Sequence, residues 1–321
     1  MNDRLRQSAT LLGFALIILF FAIRLPDTFL TARNLLNISQ QLSMLMVVAA
    51  TMTIVMVMND FDLSVGSMAS LSGIVAAVCF MAGWPIWLAL LAALAVGLLG
   101  GLFNGILVAV IGILPFVATL GTLTVFSGIA LYVSDGTTIF GRDIPAEFSG
   151  FARGGIPLDA LGLERLKIPA LSLVAFGVVA VTWLLLEHTS YGRKLYAIGG
   201  NAEAAHLAGI RVVRVRMIAF ALTGLGAAAA GLMFASRVAS ANPTQGGGLM
   251  LDAIAAVFLG MTMTKRGEPR VLYTLVGVLM LGIIDNGLTQ LRVDSFIREI
   301  LVGMIVIAAV AIAQISKRRG K

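Results

Sequence analysis

The sequence predicts an all-α protein, a polytopic transmembrane helical bundle, and three observations carry that prediction. Of the 321 residues, 59% are hydrophobic and only 12% are charged, which leaves too little polar surface for a water-soluble domain. Long apolar runs recur from Leu11 to Gln314, and most approach the roughly 20 residues that a helix needs to cross a bilayer. The runs are too long, and alternate too little, to be the strands of a membrane barrel.

About ten apolar runs can be placed along the chain, and together they form one predicted domain over residues 1–321. We place the spans at residues 9–25, 38–58, 62–83, 86–111, 114–134, 168–187, 215–236, 251–264, 271–290 and 298–315. The eighth run is short and could begin as early as Gly246. The first run lacks a small-residue cleavage site and is followed directly by Arg24, so we interpret it as an uncleaved span and not as a signal peptide.

Charge predicts the orientation of these spans. With ten spans both termini lie on one side, and a cytoplasmic N-terminus puts fourteen of the 23 Lys and Arg residues on the cytoplasmic side. The positive-inside rule therefore predicts cytoplasmic N- and C-termini. Membrane topology accounts for the net charge of +7, so we do not interpret the charge as nucleic-acid binding. The single cysteine, Cys79, lies in an apolar run, which excludes a disulfide framework.

Two segments 182 residues apart share a motif. Gly100–Ile106 and Gly282–Leu288 both read G-x-x-x-N-G followed by an aliphatic residue, and the same offset places Asp62–Gly66 opposite Thr244–Gly248. A shift of five spans reverses direction across the membrane, so the motif predicts a five-plus-five inverted repeat, an architecture common in transporters. Chance similarity between glycine-rich spans is the alternative. Glycines at every fourth position from Gly97 to Gly105 also predict close helix packing.

Polar side chains inside predicted spans are candidates for contact with a solute, because burying them in a bilayer is costly. The stretches from Asn59 to Ser67 and from Ser240 to Gly248 interrupt apolar regions. Each suits either an unwound helix that lines a pathway or an ordinary interfacial turn. The asparagines of the repeated motif could equally well join helices by hydrogen bonds. The candidate residues are Asp62, Ser64, Asn104, Asn242, Asp252 and Asn286.

A basic segment at residues 188–214 joins the sixth and seventh spans and is predicted to lie in the cytoplasm. Asn201 suits a helix N-cap, Glu203 falls in the first turn, and Gly209 suits the helix end. Such a short helix could dock on a cytosolic partner or lie on lipid headgroups, and these residues alone leave both possibilities open. The candidate docking residues are Gly192, Arg193, Gly200, Asn201, Glu203, Ala204, Ala205 and Gly209.

Motifs for catalysis are not found in the sequence. It contains no G-x-x-x-x-G-K-[ST] phosphate-binding loop and no H-E-x-x-H zinc motif. We also find no convincing Ser/His/Asp or Cys/His pairing, and the two histidines, His188 and His206, are too few for a zinc site. We therefore expect no catalytic residues, no metal and no cofactor on this chain.

Several motifs along nearly the whole chain resemble one family, the permeases of bacterial ABC importers for simple sugars of the ribose, xylose and autoinducer-2 class. This family is part of the branched-chain amino acid/sugar permease superfamily. The motifs that carry the resemblance are Asp62–Ser67, Gly101–Gly105, Pro115–Thr122, Gly192–Ile210, Ala241–Pro243 and Leu251–Val257. The chain departs from the family pattern at Asp60-Phe61 and between Gly260 and Arg270, which leaves the solute and the local geometry open.

The resemblance implies a set of partners and a location. A second permease chain, identical or a sibling, would complete the pore in the lipid of the bacterial cytoplasmic (inner) membrane. A cytosolic ABC ATPase subunit, carrying ATP and Mg, would bind residues 188–214, which we call the docking segment. A periplasmic solute-binding protein would deliver a small polar solute, a monosaccharide or related sugar. The resemblance thus favours the docking interpretation of residues 188–214.

Other functions stay open as alternatives. A branched-chain amino acid permease of the same superfamily would need a site for a zwitterion, and no intramembrane basic partner is evident for one. An ion-coupled secondary sugar transporter could use Asp62, Asp252 and Asp285 as coupling carboxylates. A membrane-embedded enzyme would need a catalytic pair, for which the sequence offers no convincing candidate.

Overall fold

Helices form most of the computed structural model, which describes residues 3–159, 162, 166–264, 267–301, 303–304 and 307. The helices are α1 Asp3–Arg24, α2 Ala32–Met56, α3 Val65–Met81, α4 Ile86–Ile106, α5 Pro115–Val133, α6 Ala146–Arg153, α7 Ala170–His188, α8 Ser190–Gly200, α9 Ala202–Leu207, α10 Val212–Val238, α11 Leu249–Thr262 and α12 Val271–Gln290. A π-helical turn, Leu107–Ile111, extends α4, and residues 295–301 are again helical.

In the described part of the chain, four short strands lie outside the helices. β1 Ile139–Phe140 pairs antiparallel with β4 Ser240–Ala241, and β2 Gly155–Pro157 pairs antiparallel with β3 Lys167–Pro169. With α6, the first three strands occupy much of the long connection between α5 and α7, whereas β4 lies between α10 and α11. Each strand has two or three residues, so none is long enough to cross a bilayer.

Helices α2 and α10 form the centre of the bundle. Residues 42–56 of α2 are all buried, as expected for a helix that is apolar on every side. Helix α10 packs on α2, α3 and α4, while α2 also contacts α7, α11 and α12. Small residues on α10 permit these contacts, since a Cβ on Gly226 would overlap Thr51 of α2 and a Cβ on Gly231 would overlap the backbone of Ala69 on α3.

The glycine stripe of α4, for which the sequence predicts close helix packing, lies against α10. Gly97 faces Gly224, and Gly105 faces Met217, so the two helices run antiparallel. A Cβ on Gly101, between them, would overlap the Phe220 carbonyl oxygen. The absence of side chains lets the two backbones touch, which is how small residues pack membrane helices.

The two ends of the bundle carry different elements. At the α8 end, Asn59 donates its Nδ2 to the Gly199 carbonyl at 2.8 Å, which joins the end of α2 to α8. At the opposite end, which we call the α6 end, Ser236 of α10 donates to the Phe148 carbonyl of α6 at 2.6 Å. The Asn34 side chain of α2 meets Asn286 of α12 at that same end. Contacts that join distant parts of the chain thus fix both ends.

Among the described residues, six helical segments are long and apolar enough to cross a membrane. They are Ala32–Met56, Ile86–Ile111, Pro115–Val133, Ala170–His188, Val212–Val238 and Val271–Gln290. Three apolar helical segments are shorter, namely Leu11–Arg24, Val65–Met81 and Leu249–Thr262. The tenth predicted span, residues 298–315, lies mostly outside the described residues. A helical membrane bundle is therefore confirmed, and the last two of the three shorter segments begin where the sequence predicts polar interruptions.

Candidate functional site

The chain leaves helical geometry between α2 and α3 over residues 57–64, and we call these residues, together with the start of α3 as far as Ser67, the first break. Asp62 organises its end, because Oδ1 accepts hydrogen bonds from the Ser64 backbone N at 2.9 Å and from the Ser64 hydroxyl at 2.6 Å. Asn104 of α4 donates its Nδ2 to the Ser64 Oγ at 2.8 Å. All three side chains are buried. They form one hydrogen-bonded cluster that fixes the start of α3 against α4.

A second break, residues 239–248, separates α10 from α11. Asn242 Oδ1 accepts hydrogen bonds from the Thr244 backbone N at 2.8 Å and from the Thr244 hydroxyl at 2.7 Å. Its Nδ2 donates to Thr138 Oγ1 at 2.7 Å, which ties the break to the residue before β1. Ala239 ends α10 in the left-handed region at φ 52°. Asn242 therefore shapes this break from the α6 end.

The two breaks contain the same turn. In Asp62–Gly66 and in Asn242–Gly246, the first side chain accepts from both the backbone N and the hydroxyl of the third residue, as in an Asx turn. The two turns are 180 residues apart. The G-x-x-x-N-G motifs are 182 residues apart, because the chain between the turn and the motif is two residues longer in the second half. The turns therefore align Asp62 with Asn242, whereas the 182-residue offset aligns it with Thr244.

The breaks cross each other with their backbones in contact. A Cβ on Gly66 would lie 2.6 Å from the Gly246 carbonyl oxygen, and a Cβ on Gly246 would in turn overlap the Gly66 carbonyl oxygen. Ser70 of α3 reinforces the contact, since its Oγ accepts a hydrogen bond from the Gly246 N at 2.8 Å. The first break enters from the α8 end and the second from the α6 end, so they meet inside the bundle.

A cavity of about 240 Å³ lies beside this crossing. Residues of both breaks, α3, α5 and α11 line it, and none of them is charged: Leu63, Gly66, Ser67, Ser70, Leu123, Ser127, Pro243, Thr244, Gly247 and Met250. Small or apolar walls with a few hydroxyl groups are typical of sites for small neutral molecules. None of the four hydroxyl residues of the lining is among the candidates that the sequence predicts. Two of the four hydroxyl residues, Ser67 and Thr244, lie in the predicted polar stretches, whereas nothing local marks Ser127.

None of the six candidate solute-contact residues lines this cavity. Asp62, Ser64, Asn104 and Asn242 make the hydrogen bonds that shape the breaks. Asn286 of α12 exchanges hydrogen bonds with Asn34 of α2 at 3.0 and 3.2 Å, which joins two helices at the α6 end. Asp252 is partly buried on α11. A direct contact of these residues with solute stays a prediction.

The docking segment consists of two short helices at the α8 end. Asn201 caps α9, as predicted, by accepting a hydrogen bond from the Ala204 N at 3.0 Å, and Gly209 follows α9 at φ +84°. Helix α8, which precedes it, was not predicted. Arg193, Gly200, Glu203 and Ala204 are exposed, whereas Ala205 is buried. Leu207, at the end of α9, is 81% exposed.

Glycines let α8 lie close to the membrane-spanning helices. A Cβ on Gly192 would overlap the Leu186 carbonyl oxygen at the end of α7, and a Cβ on Gly199 would overlap the Val57 carbonyl oxygen at the start of the first break. With the Asn59 hydrogen bond to Gly199, these contacts hold α8 against the first break. Of the candidate docking residues, Gly192 therefore has a packing role.

An ion pair joins the first break to α10. Arg216 Nη2 donates to Asp60 Oδ1 at 3.1 Å, and Nε lies 3.0 Å from Oδ2 without the alignment of a hydrogen bond. Asp60 lies outside the membrane-spanning helices and is 3% exposed. Burial raises its pKa to about 6, although the Arg216 charge and hydrogen bond act to lower it. Breaking such a pair by removing one partner is costly, because the other charge stays buried.

Broken helices that meet beside a cavity, within a bundle of apolar helices, are typical of multi-pass membrane transport proteins. Comparison with known proteins gives the family. Residues 34–310 match the model of the family described as branched-chain amino acid transport system / permease component, and the chain belongs to this family. No solved structure matches the chain.

Individual relatives cover most of the chain. It is 38% identical over 302 residues to the ribose import permease protein RbsC of Bacillus subtilis (strain 168), which covers 93% of this chain and 90% of the relative. It is 36% identical over 298 residues to RbsC of Escherichia coli (strain K12), covering 92% and 90%. It is 33% identical over 354 aligned positions to the xylose transport system permease protein XylH of Escherichia coli (strain K12), covering 94% and 90%. The resemblance to simple-sugar permeases is confirmed.

Proposed function

We propose that this chain is the pore-forming permease subunit of an ATP-driven ABC importer for a monosaccharide or related sugar. The observation that carries the proposal is the match, over nearly the whole chain, to permeases named for ribose and xylose. The cavity beside the crossed breaks supports it, because hydroxyl groups and small apolar surfaces suit a polyol. The sequence contains no phosphate-binding loop, so ATP and Mg would be bound by a separate ATPase subunit.

A sugar suits the cavity better than an amino acid does. Its lining residues include no Lys, Arg, Asp or Glu, and a zwitterion would lose its hydration there without gaining an opposite charge. The intramembrane carboxylates give less support to a secondary transporter than the cavity gives to a sugar importer. Asp62 is tied into the turn with Ser64, and Asp285 pairs with Arg298 at 2.6 Å. Both carboxylates therefore have a structural role already.

The proposal includes ten spans in a five-plus-five inverted repeat, within one permease domain over residues 1–321. The six long helical segments, the three shorter ones and the run at 298–315 supply ten spans. The shared Asx turns and the reciprocal contact of Gly66 with Gly246 support the repeat. A two-fold axis in the membrane plane makes equivalent residues of the two halves touch each other in this reciprocal way.

We further propose that the α8 end faces the cytoplasm of a bacterial cell and that both termini lie on that side of its inner membrane. Basic residues lie on α8 and at the start of α10, among them Arg193, Lys194, Arg211 and Arg214. Their concentration at one end of the bundle fits the positive-inside rule.

The docking segment, residues 188–214, would bind the ATPase subunit through its exposed surface. Its position supports a route from ATP hydrolysis to the pore. A displacement of α8 reaches the first break through Gly199 and Asn59, and the first break carries Gly66 to its contact with Gly246. A rigid shift of a short helix could thus open or close the crossing, which is how packed elements transmit small displacements.

Partners complete the proposed importer. The exposed apolar faces of α4 and α5, including Phe103 and Phe116, leave room for lipid and for a second permease chain, a copy or a sibling. A periplasmic solute-binding protein would deliver the sugar at the α6 end. The chain itself would carry no catalytic residue, metal or cofactor.

Uptake into proteoliposomes tests the proposal. The chain is reconstituted with its ATPase and binding protein, and uptake of labelled D-ribose, D-xylose and L-leucine is measured with ATP or with a non-hydrolysable analogue. We expect ATP-dependent uptake of a sugar and none of leucine. Sugar uptake by the chain alone, driven by an ion gradient, would overturn the proposal in favour of a secondary transporter.

A further inference from the structure

We propose that the cavity beside the crossed breaks is a binding site for the sugar on its way through the membrane, and that the Ser127 hydroxyl of α5 binds it. The inference rests on the proposed function and deepens it, since it assigns the solute contact to residues other than the buried carboxylates and amides of the breaks.

Ser127 differs from the other hydroxyl residues of α5. Thr119, Thr122 and Thr124 each donate a hydrogen bond to a carbonyl of the preceding turn, at 2.8, 3.2 and 3.4 Å. Within the described part of the chain, Ser127 makes no hydrogen bond, although it is only partly exposed and lines the cavity. A hydroxyl in an apolar span normally bonds to its own helix. The Ser127 hydroxyl is instead free to donate to a molecule in the cavity.

The facing wall offers acceptors. The Thr244 hydroxyl donates to Asn242 Oδ1 at 2.7 Å, and the Ser67 hydroxyl donates to the Ser64 carbonyl at 2.9 Å. Each proton is therefore engaged, and the remaining oxygen lone pairs can accept hydrogen bonds. A sugar hydroxyl both donates and accepts, so a sugar can bridge the donor of α5 and the acceptors of the breaks. The Asx turns act here by holding the acceptor hydroxyls in place.

The other walls and the size of the cavity suit a small neutral ring. Leu63, Leu123, Pro243 and Met250 present apolar surface, against which the C–H face of a sugar can pack. The volume of about 240 Å³ is below the roughly 300–1,000 Å³ of pockets for larger ligands. No charged side chain reaches the lining, so the site takes uncharged polyols and disfavours amino acids and organic acids.

The first test compares Ser127→Ala with Thr124→Ala three residues away, whose hydroxyl bonds to its own helix and whose side chain is exposed. In the complete complex in proteoliposomes, we measure D-ribose and D-xylose imported per ATP hydrolysed. Loss of one neutral hydrogen bond predicts a roughly three- to tenfold lower ratio for Ser127→Ala. Thr124→Ala should stay within about twofold of the wild type. Equal ratios for the wild type and Ser127→Ala, or equal losses in both variants, overturn the site.

A second test measures occupancy directly. Ser127→Cys and Thr124→Cys are each made in a Cys79→Ala chain, and the rate of reaction with a charged thiol reagent is followed in the complex. We expect the imported sugar to slow the reaction of Ser127→Cys at least threefold and L-leucine to leave it unchanged, with no protection of Thr124→Cys. Reaction at the same rate with and without sugar overturns the site. Failure of the wild-type complex to import either sugar with ATP would instead overturn the proposed function.

Discussion

Replacing Gly66 with alanine should push the two breaks apart. The added Cβ would lie 2.6 Å from the Gly246 carbonyl oxygen, about 0.8 Å short of an ordinary 3.4 Å contact. The obstacle is backbone, so no side chain can rotate away, and the breaks or α3 must move. Overpacking of this kind destabilises a core by about 1–3 kcal/mol. We expect Gly66→Ala to lower the free energy of unfolding by about that amount.

The reciprocal variant makes the prediction specific to the crossing. Gly246→Ala places its Cβ on the Gly66 carbonyl oxygen, so both variants strain the same contact. Once the breaks have separated to admit one methyl group, the second methyl group should lower the free energy of unfolding only a little further. The double variant should therefore cost about 1–2 kcal/mol less than the sum of the two single variants, as expected for residues in direct contact.

Unfolding in mixed micelles provides the assay, with Gly177→Ala as the control. Gly177 lies on the exposed face of α7, where an added Cβ meets nothing within 4 Å. An alanine in such a helical position should stabilise the chain by up to about 1 kcal/mol. The contact is refuted if Gly66→Ala changes the free energy of unfolding as Gly177→Ala does. It is also refuted if the loss in the double variant equals the sum of the losses in Gly66→Ala and Gly246→Ala.

Two further predictions concern the buried polar groups. Asn104→Ala removes the donor to the Ser64 Oγ and should lower the free energy of unfolding by about 1–3 kcal/mol; an unchanged value in the same assay would show that the cluster does not fix α3. Burial raises the pKa of Asp60 from 3.8 to about 6, so the folded state binds its proton more tightly than the unfolded state does. The contribution of Asp60 to stability therefore falls as the pH rises towards 6. Wild type should gain more stability than Asp60→Asn on acidification from pH 7.5 to pH 5, measured by the same unfolding; equal gains would contradict the assignment.

Helical periodicity and apolar length predict the bundle well because the bilayer imposes them on each segment separately. The ninth predicted span, 271–290, agrees with α12 at both ends. The glycine stripe from Gly97 to Gly105 also predicted close packing correctly, since a missing side chain permits close backbone approach in any fold. The polar stretches marked both breaks because polar residues inside an apolar region have few structural explanations.

Roles within the site were harder to predict, since they depend on contacts between distant segments. The sequence marks Asp62 and Asn104 as candidates for contact with solute, but it does not predict that Ser64 joins them across 42 residues of sequence. Ser127 lies in an ordinary apolar span, and only the folded bundle reveals that it faces the breaks. Helix α8 was not predicted because its glycines lower helix propensity. The structure shows that Gly192 and Gly199 are needed for packing against α7 and the first break.

Stimulation of ATP hydrolysis tests the central claim most directly. The chain is reconstituted with its ATPase and sugar-loaded binding protein, and hydrolysis is compared between the wild type and Glu203→Lys, which reverses the charge of an exposed residue in the first turn of α9. We predict that the loaded binding protein stimulates hydrolysis with the wild type, and that the stimulation is lost in the variant while the complex stays folded. The account would be contradicted if the rate of ATP hydrolysis were the same with and without this chain and sugar crossed the membrane without ATP.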